Sequence, residues 1–448
     1  MSVFKFQLLI HNKIMKKKML LTATFIFAFA FGYFQSLFLH IIEILGFRIP
    51  SPHIQTDYVT ALLWAIALTL LLFVLPLPQN HRKPLLILWA ARIGTTLIAM
   101  LFYEYKYGLD AYSYFKYSLN DSFIWRVQFG YGTEIISWIS WLLNHYLPVN
   151  NSYHTLKVIF SFTGLLAAYI FYRGFTLYTQ KERISFLYLL GLFPSILFWS
   201  SILGKDPVTL LGIAIYSFGV FWLLHAHSPW SLLTIAFGLF LASSIRVWSG
   251  LIFLIPLFPV YFKISSHSIF KKLTYTTIIT ILLLVFSNTF LTEFNIESST
   301  ELLTRAQYHS RSWSRGGSGQ EVPEFHSFKD MLKFSPKGIF TALFRPLPGE
   351  INNFFGVFAG FENLILFILF LYAIYYGSSF IKKDPALLWL GSLILTWAFV
   401  YGFISYQNLG SAVRFKLQIM PHLLAFIYLL LQNHRQDKIK SFTRGAQT

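Results

Sequence analysis

The chain reads as an all-α protein, a polytopic transmembrane helical bundle of about 12 spans with long extracytoplasmic loops and an interfacial helix. Three observations lead there. Apolar residues make up 55% of the 448 residues and charged residues only 12%, where a soluble domain carries about 25% charged. Long apolar runs recur from Leu20 to Leu431 with no polar domain between them, so residues 1–448 form a single integral membrane domain. Lys and Arg sort to one side of the bilayer when those runs are threaded with the N-terminus inside.

The first run, Leu20 to Ile42, follows Lys16-Lys17-Lys18 and contains Ala28-Phe29-Ala30. It resembles a signal peptide but is too long for a signal h-region, and it is read as an uncleaved span. Further spans are expected at Val59 to Leu75, Leu85 to Phe102, Thr155 to Tyr172, Ile184 to Leu203 and Val208 to Leu224. The apolar stretch from Ser231 to Phe262 exceeds one crossing and carries Arg246 near its middle. It is divided into Ser231 to Ile245 and Gly250 to Phe262, with a tight outer turn between them. Leu273 to Leu291, Phe354 to Tyr376, Ala386 to Phe403 and Leu417 to Leu431 complete the set. Ile135 to Leu147 is short and carries Trp138, Trp141, His145 and Tyr146; it is laid in the outer interface as an amphipathic helix.

With that choice 19 Lys and Arg fall inside against 3 acids, while 16 Lys and Arg lie outside or at the outer ends against 15 acids. The inner segments hold Lys5, Lys13 and Lys16–Lys18, then Arg82 and Lys83, Arg173, Lys181 and Arg183, and Lys263, Lys271 and Lys272. Lys382 and Lys383 follow, and then Arg435, Lys438, Lys440 and Arg444. Only Glu182, Asp384 and Asp437 join them as acids. Both termini come out cytoplasmic, and the net charge of +18 is explained by anionic lipid, with no need for nucleic acid. The absence of cysteine excludes disulfides and thiol chemistry. The 49 Phe, 25 Tyr and 12 Trp suit lipid-facing surfaces and interfacial belts. Two outer loops are long, 103–154 and 292–353, and loops of that length are often functional.

Chemistry-bearing residues gather on the outer side. Tyr103-Glu104-Tyr105-Lys106-Tyr107 leads into Asp110, Tyr112 and Tyr114. A carboxylate among rings at a membrane surface could act as general base while the rings stack on sugar; the same run also describes an ordinary Tyr-rich belt. Pro194-Ser195 precedes Phe198-Trp199-Ser200 and Lys205-Asp206-Pro207. Asp206 is a good N-cap and Pro207 suits the first helical position. Lys205 could hold a phosphate beside a helix N-terminus, or snorkel. Arg246, Arg345 and Arg414 each put a guanidinium at the outer rim, suited to bidentate phosphate binding; an internal pair with Glu350 or Glu362 is the plainer use. The stretch 305–319, with His309, Arg311, Arg315 and Gly316-Gly317-Ser318-Gly319, could offer backbone N–H groups to a phosphate, although it matches no P-loop. No His or acid cluster has metal-ligand spacing, so no metal site is assigned; a divalent metal remains open as a cofactor.

Asp110 with Tyr112 and Tyr114, the Pro194-Ser195…Phe198-Trp199-Ser200…Lys205-Asp206 stretch, Arg246 in its hairpin and Arg414 ahead of Pro421 together resemble the C-type (GT-C) membrane glycosyltransferase superfamily. That superfamily includes protein mannosyltransferases and lipid A aminoarabinose transferases. The resemblance covers roughly 103–421. It implies an acidic catalytic residue in the first large outer loop, matched by Asp110, and a helix lying along the membrane, matched by 135–147. It further implies transfer of a sugar from a polyprenyl-phosphate-linked donor to a glycan, lipid or protein acceptor at the bacterial inner membrane. The chain departs from the family in three ways. Asp110 has Glu104 and Asp121 for neighbours in place of an adjacent acid, the large soluble C-terminal domain is missing, and the loop follows the third span, not the first.

The resulting expectation is an inverting glycosyltransferase with Asp110 as base. Tyr112, Lys205, Arg246, Arg315, Arg345 and Arg414 would bind substrate and phosphate. An O-antigen type repeat-unit polymerase is the near rival and would lean on Arg315, Arg345 or Arg414. A non-enzymatic transporter of lipid-linked glycans is the distant one. It calls for basic residues along a central cavity, and only Arg92 lies well inside an expected span.

Overall fold

A computed structural model describes residues 36–122, 127–258, 269–293, 318–321, 323 and 325–445. Among these residues every regular element is helical, apart from an isolated bridge between Gly319 and Asn408. Six helices are long and apolar enough to cross a membrane: Ile54–Val74, Gln79–Lys106, Tyr153–Thr179, Lys205–Ala226, Phe354–Ile381 and Pro385–Ser405. Leu409–Gln418 and Met420–Asp437, bent by 65° at their junction, make a seventh if taken as one broken span.

Burial sorts these helices into centre and rim. The apolar stretches of Tyr153–Thr179 and Lys205–Ala226 are 72% buried within the protein, while that of Phe354–Ile381 is only 22% buried. Phe354–Ile381 keeps Phe358, Phe361, Ile365 and Ile368 on its outer surface, the composition of a face turned to lipid. Small residues let the central helices approach. A Cβ on Gly212 would lie 2.6 Å from the Ala242 amide nitrogen, and one on Gly238 would lie 2.2 Å from that of Tyr216. The helix Lys205–Ala226 thus presses directly on Pro229–Ile245, the small-residue packing that replaces a hydrophobic driving force inside a bilayer. Gly338 and Gly402 do the same for Phe328–Phe344 against Pro385–Ser405.

Several expected spans differ in the structure. The run 184–203 is not one helix: Ile184–Leu192 ends ahead of Pro194, and Pro194–Trp199 restarts it. Proline has no N–H to continue the ladder. Residues 200–204 then run non-helically into Lys205–Ala226. That helix begins at Lys205, so Asp206 is its second residue and not its N-cap, and Pro207 is its third. The chain does break at Arg246: Pro229–Ile245 stops there, Arg246 is extended, and the seven-residue helix Trp248–Leu254 follows. The helix Gly132–Tyr146 has 15 residues, too few to span. It buries Gly132, Ile136, Ser137 and Ser140 along one face, and packs on Ala111–Ser118 and on Pro229–Ile245. Most of the first expected span lies outside the described residues.

Buried charges knit the ends of the helices together. Asp57 accepts from the backbone N–H groups of Tyr153 and His154 at 3.1 and 2.9 Å, while Ser152 caps the same helix through Thr155. A carboxylate at a helix N-terminus is stabilised by the orphan N–H groups there. Glu104 accepts from Lys157 Nζ at 2.8 Å and from the Tyr153 hydroxyl at 2.6 Å, all three fully buried.

Candidate functional site

Asp110, Lys205, Asp206, Arg246 and Arg414 come from four distant stretches of chain and meet in one cluster. Each stands at the end of a helix. Asp110 is the N-cap residue of Ala111–Ser118, but its carboxylate makes no cap bond. Lys205 and Asp206 open Lys205–Ala226. Arg246 closes Pro229–Ile245, and Arg414 lies in the last turn of Leu409–Phe415.

Arg414 is the hub. Its Nε donates to Asp206 Oδ2 at 2.6 Å, and its Nη1 donates to Asp110 Oδ2 at 3.2 Å. Arg246 Nη2 lies 3.7 Å from the other oxygen of Asp206. Asp206 is 3% exposed and so fully committed to its two guanidiniums, whereas the Asp110 side chain is 64% exposed. Three cations therefore face two carboxylates, only one of which opens outward. Each cation also lies over an aromatic ring: Arg414 over Trp199 at 5.8 Å, Arg246 over Phe415 at 4.8 Å and Lys205 over Tyr114 at 5.9 Å. The rings hold the charges in place and, unlike carboxylates, leave them free to meet an anion. The Tyr114 hydroxyl is held well above the usual phenol value, chiefly by burial and then by the charge of Asp110.

Close packing fixes this geometry. The amide of Gly130 donates to Ser244 O at 2.9 Å, and a Cβ on Gly132 would stand 2.6 Å from Ile245 O and 3.1 Å from Lys205 Cδ. The start of Gly132–Tyr146 thus abuts both the Arg246 turn and the Lys205 stem. On another side, rings run outward from the cluster: Trp199 to Tyr103 at 5.8 Å, Tyr103 to Phe355 at 4.9 Å, Phe355 to Phe354 at 5.5 Å and Phe354 to Phe358 at 4.8 Å. Phe354 and Phe358 are 65% and 64% exposed. An unbroken row of aromatic rings thus joins the cationic cluster to an exposed apolar face.

The other expected site residues fall elsewhere. Tyr112 turns its ring onto Tyr153, 5.6 Å away, and its buried hydroxyl finds no hydrogen-bond partner among the described residues. Arg345 pairs with Glu350, Nε to Oε1 at 2.7 Å, so for this residue the internal pair is the observed arrangement. Glu362 accepts from the Ser195 backbone N–H at 2.9 Å. Arg315, with His309 and Arg311, lies outside the described residues. Glu104, the other acid of the Tyr-rich run, is locked to Lys157 and fully buried. Asp206, Tyr114 and Trp199 join the site where Tyr112 and Arg345 were expected. Among the described residues no group of three or more His, Cys, Asp or Glu could hold a metal ion.

Lys157 and Lys416 prove to be buried like Arg92. Lys157 is neutralised by Glu104. Lys416 donates to Asn363 Oδ1 at 2.6 Å and to the Arg345 carbonyl at 3.1 Å. Comparison with protein-family models, with curated proteins and with solved structures gives no match for this chain.

Proposed function

We propose that the chain is a membrane glycosyltransferase. It moves a sugar from a polyprenyl-phosphate-linked donor to a cell-envelope acceptor on the extracytoplasmic face of the bacterial inner membrane. The twelve-span threading, with 103–154 and 292–353 outside and both termini cytoplasmic, belongs to this reading. The observation that carries it is the cluster itself: one outward-facing carboxylate beside three cations, at the head of an aromatic lane that reaches the outer apolar surface.

The chemistry follows from those parts. The donor phosphate binds Arg414, Arg246 and Lys205 and takes the place of Asp110 on Arg414. Released, Asp110 accepts the proton of an acceptor hydroxyl. That oxygen attacks the anomeric carbon as the bond from this carbon to the phosphate oxygen breaks. The electron pair leaves with the phosphate, where the guanidiniums stabilise it. A single displacement inverts the anomeric centre. The exposed aromatic face suits the isoprenoid tail of such a donor.

A repeat-unit polymerase on the same face draws on one specific observation: cations outnumber carboxylates, and Asp110 is itself held by Arg414. Replacing Asp110 with Asn decides between the two. The side chain is mostly exposed, so the variant folds, and transfer measured in membranes from a labelled polyprenyl-linked donor falls by about 10²- to 10⁴-fold. Undiminished transfer removes Asp110 from the chemistry and leaves the Arg-centred polymerase. Absence of transfer from any lipid-linked donor in the unaltered protein leaves a carrier.

A further inference from the structure

Arg92 is a fully buried guanidinium in the middle of Gln79–Lys106, and among the described residues it has no carboxylate partner. Its Nη1 donates to Ser200 Oγ at 2.8 Å and to the Ser200 carbonyl at 3.3 Å, with Ser201 Oγ at the limit of reach, 3.5 Å. Among the described residues, Nε and Nη2 find no hydrogen-bond partner. Burying a charge on such terms is costly, and an apolar side chain of similar size is often as stable or more so. The residue needs another reason to be there.

The backbone it touches supplies one. Residues 200–204 are the non-helical link between Pro194–Trp199 and Lys205–Ala226, within a part of the chain that is almost wholly buried. Carbonyls in such a link have neither a helix nor water to accept from. Arg92 takes the Ser200 carbonyl. Thr96, four residues on and therefore on the same helix face, donates its hydroxyl to the Ser201 carbonyl at 3.2 Å. The helix switches to a π-turn at Thr95–Ala99, which contains Thr96, an irregularity often found at functional positions. On the opposite side the helix Tyr153–Thr179 closes over the contact at Gly164. A Cβ there would lie 2.4 Å from Ser200 O and 2.7 Å from Arg92 Nη1. Four residues after Ser200, Gly204 brings the chain next to Arg414, with Lys205 and Asp206 following at once.

We propose that Arg92, with Thr96, is a positioning residue: it clamps the Ser200–Ser201 carbonyls so that Lys205 and Asp206 are presented to Arg414 and to the anion bound there. The proposal rests on the transferase reading only for the identity of that anion. Its test reads the geometry directly.

The chain has no cysteine, so a single introduced thiol reports cleanly. Gly204→Cys is a suitable reporter. A Cβ there meets Ile202 Cδ1 at 3.4 Å and Arg414 Nη2 at 3.8 Å, ordinary contacts, on extended backbone that any residue adopts. Tyr146→Cys, on a residue 71% exposed, is the control. Labelling by a small membrane-impermeant methanethiosulfonate is followed in purified protein, with the melting temperature measured alongside. Arg92→Met is expected to speed labelling at 204 by about ten-fold, as loss of a charge-assisted bond frees the link. The rate at 146 and the melting temperature should hold. Arg92→Lys, with one donor head in place of a fork, should fall between. Gly164→Ala, which leaves the charge intact but wedges the clamp, should also speed labelling at 204. An unchanged rate at 204 in Arg92→Met overturns the proposal, as does a rise matched at 146 or accompanied by a lower melting temperature. Farnesyl phosphate, as a probe of the anion site, should protect residue 204 in the Arg92 background and protect it less in Arg92→Met. Failure to protect either protein counts against the lipid-phosphate donor, while the labelling rates still decide the role of Arg92.

Discussion

The Glu104–Lys157 pair and the Asp110–Arg414–Asp206 cluster use the same chemistry under opposite conditions. Glu104 and Lys157 are both fully buried, and the carboxylate has one oxygen on the ammonium and the other on the Tyr153 hydroxyl. Nothing is left over for a ligand. In the other cluster the charges do not balance. Lys205 and Arg246 stand over rings, Arg414 divides its donors between two acids, and Asp110 faces outward. The difference separates two uses of a membrane-embedded ion pair. A saturated pair joins helices, whereas a cation-rich, partly open cluster has the charge and exposure that suit the proposed anion.

The comparison breaks most visibly at the saturated pair. Lys157→Met leaves Glu104 buried beside a tyrosine with no counter-charge, a loss of about 3–5 kcal/mol. The double variant Glu104→Leu with Lys157→Met removes both charges and should recover most of that loss. Thermal unfolding of the purified variants measures both. A single variant as stable as the parent would mean that the pair is not what holds Gln79–Lys106 to Tyr153–Thr179.

The open cluster should respond in function more than in stability. Arg414→Lys keeps the charge but loses the fork that reaches Asp206 and Asp110 together. Affinity for an isoprenoid monophosphate should fall by about 10- to 100-fold, and stability by about 1–3 kcal/mol as Asp206 loses its closest partner. Titration calorimetry with farnesyl phosphate, set beside a melting curve, reads the two effects separately. Equal affinity in Arg414→Lys would make the guanidinium a structural tie like Lys157.

Much of this was legible in the sequence, for reasons that also mark where legibility ends. Apolar runs and Pro or Gly breaks declare helices, and charged side chains at helix ends declare the rim. That is how Asp110, Lys205, Arg246 and Arg414 could be named before their contacts were known. Their pairing could not, because Arg414 and Asp206 lie 208 residues apart along the chain. Asp206 was hidden by its neighbours: Lys-Asp-Pro reads as a helix start, and only the true start at Lys205 shows its carboxylate to be free for the guanidiniums. Pro194 was the overlooked break in an otherwise continuous apolar run. The choice between Tyr112 and Tyr114 was readable from helical geometry alone. A residue four positions after Asp110 shares its face, and one two positions after points away. Tyr112 accordingly packs on Tyr153, and Tyr114 lies under Lys205.

Tyr114 also gives the mildest test of the comparison. Its ring carries Lys205, so Tyr114→Phe keeps the ring under the ammonium and should change ligand affinity by less than about ten-fold, whereas Tyr114→Leu should cost more. The hydroxyl should add no pH dependence in the working range. Burial and the neighbouring carboxylate raise its value above that of an unfolded tyrosine, so the folded protein keeps a proton that the unfolded chain sheds. The linkage therefore begins only above about pH 10, where stability falls as pH rises. Between about pH 6 and 9 the transfer profiles of Tyr114→Phe and the parent should overlay. An alkaline limb that moves with this substitution would make Tyr114 a proton carrier. Proton chemistry would then be divided between Tyr114 and Asp110 within the cluster, a division that the fully buried Glu104–Lys157 pair, closed to any acceptor, has no means to copy.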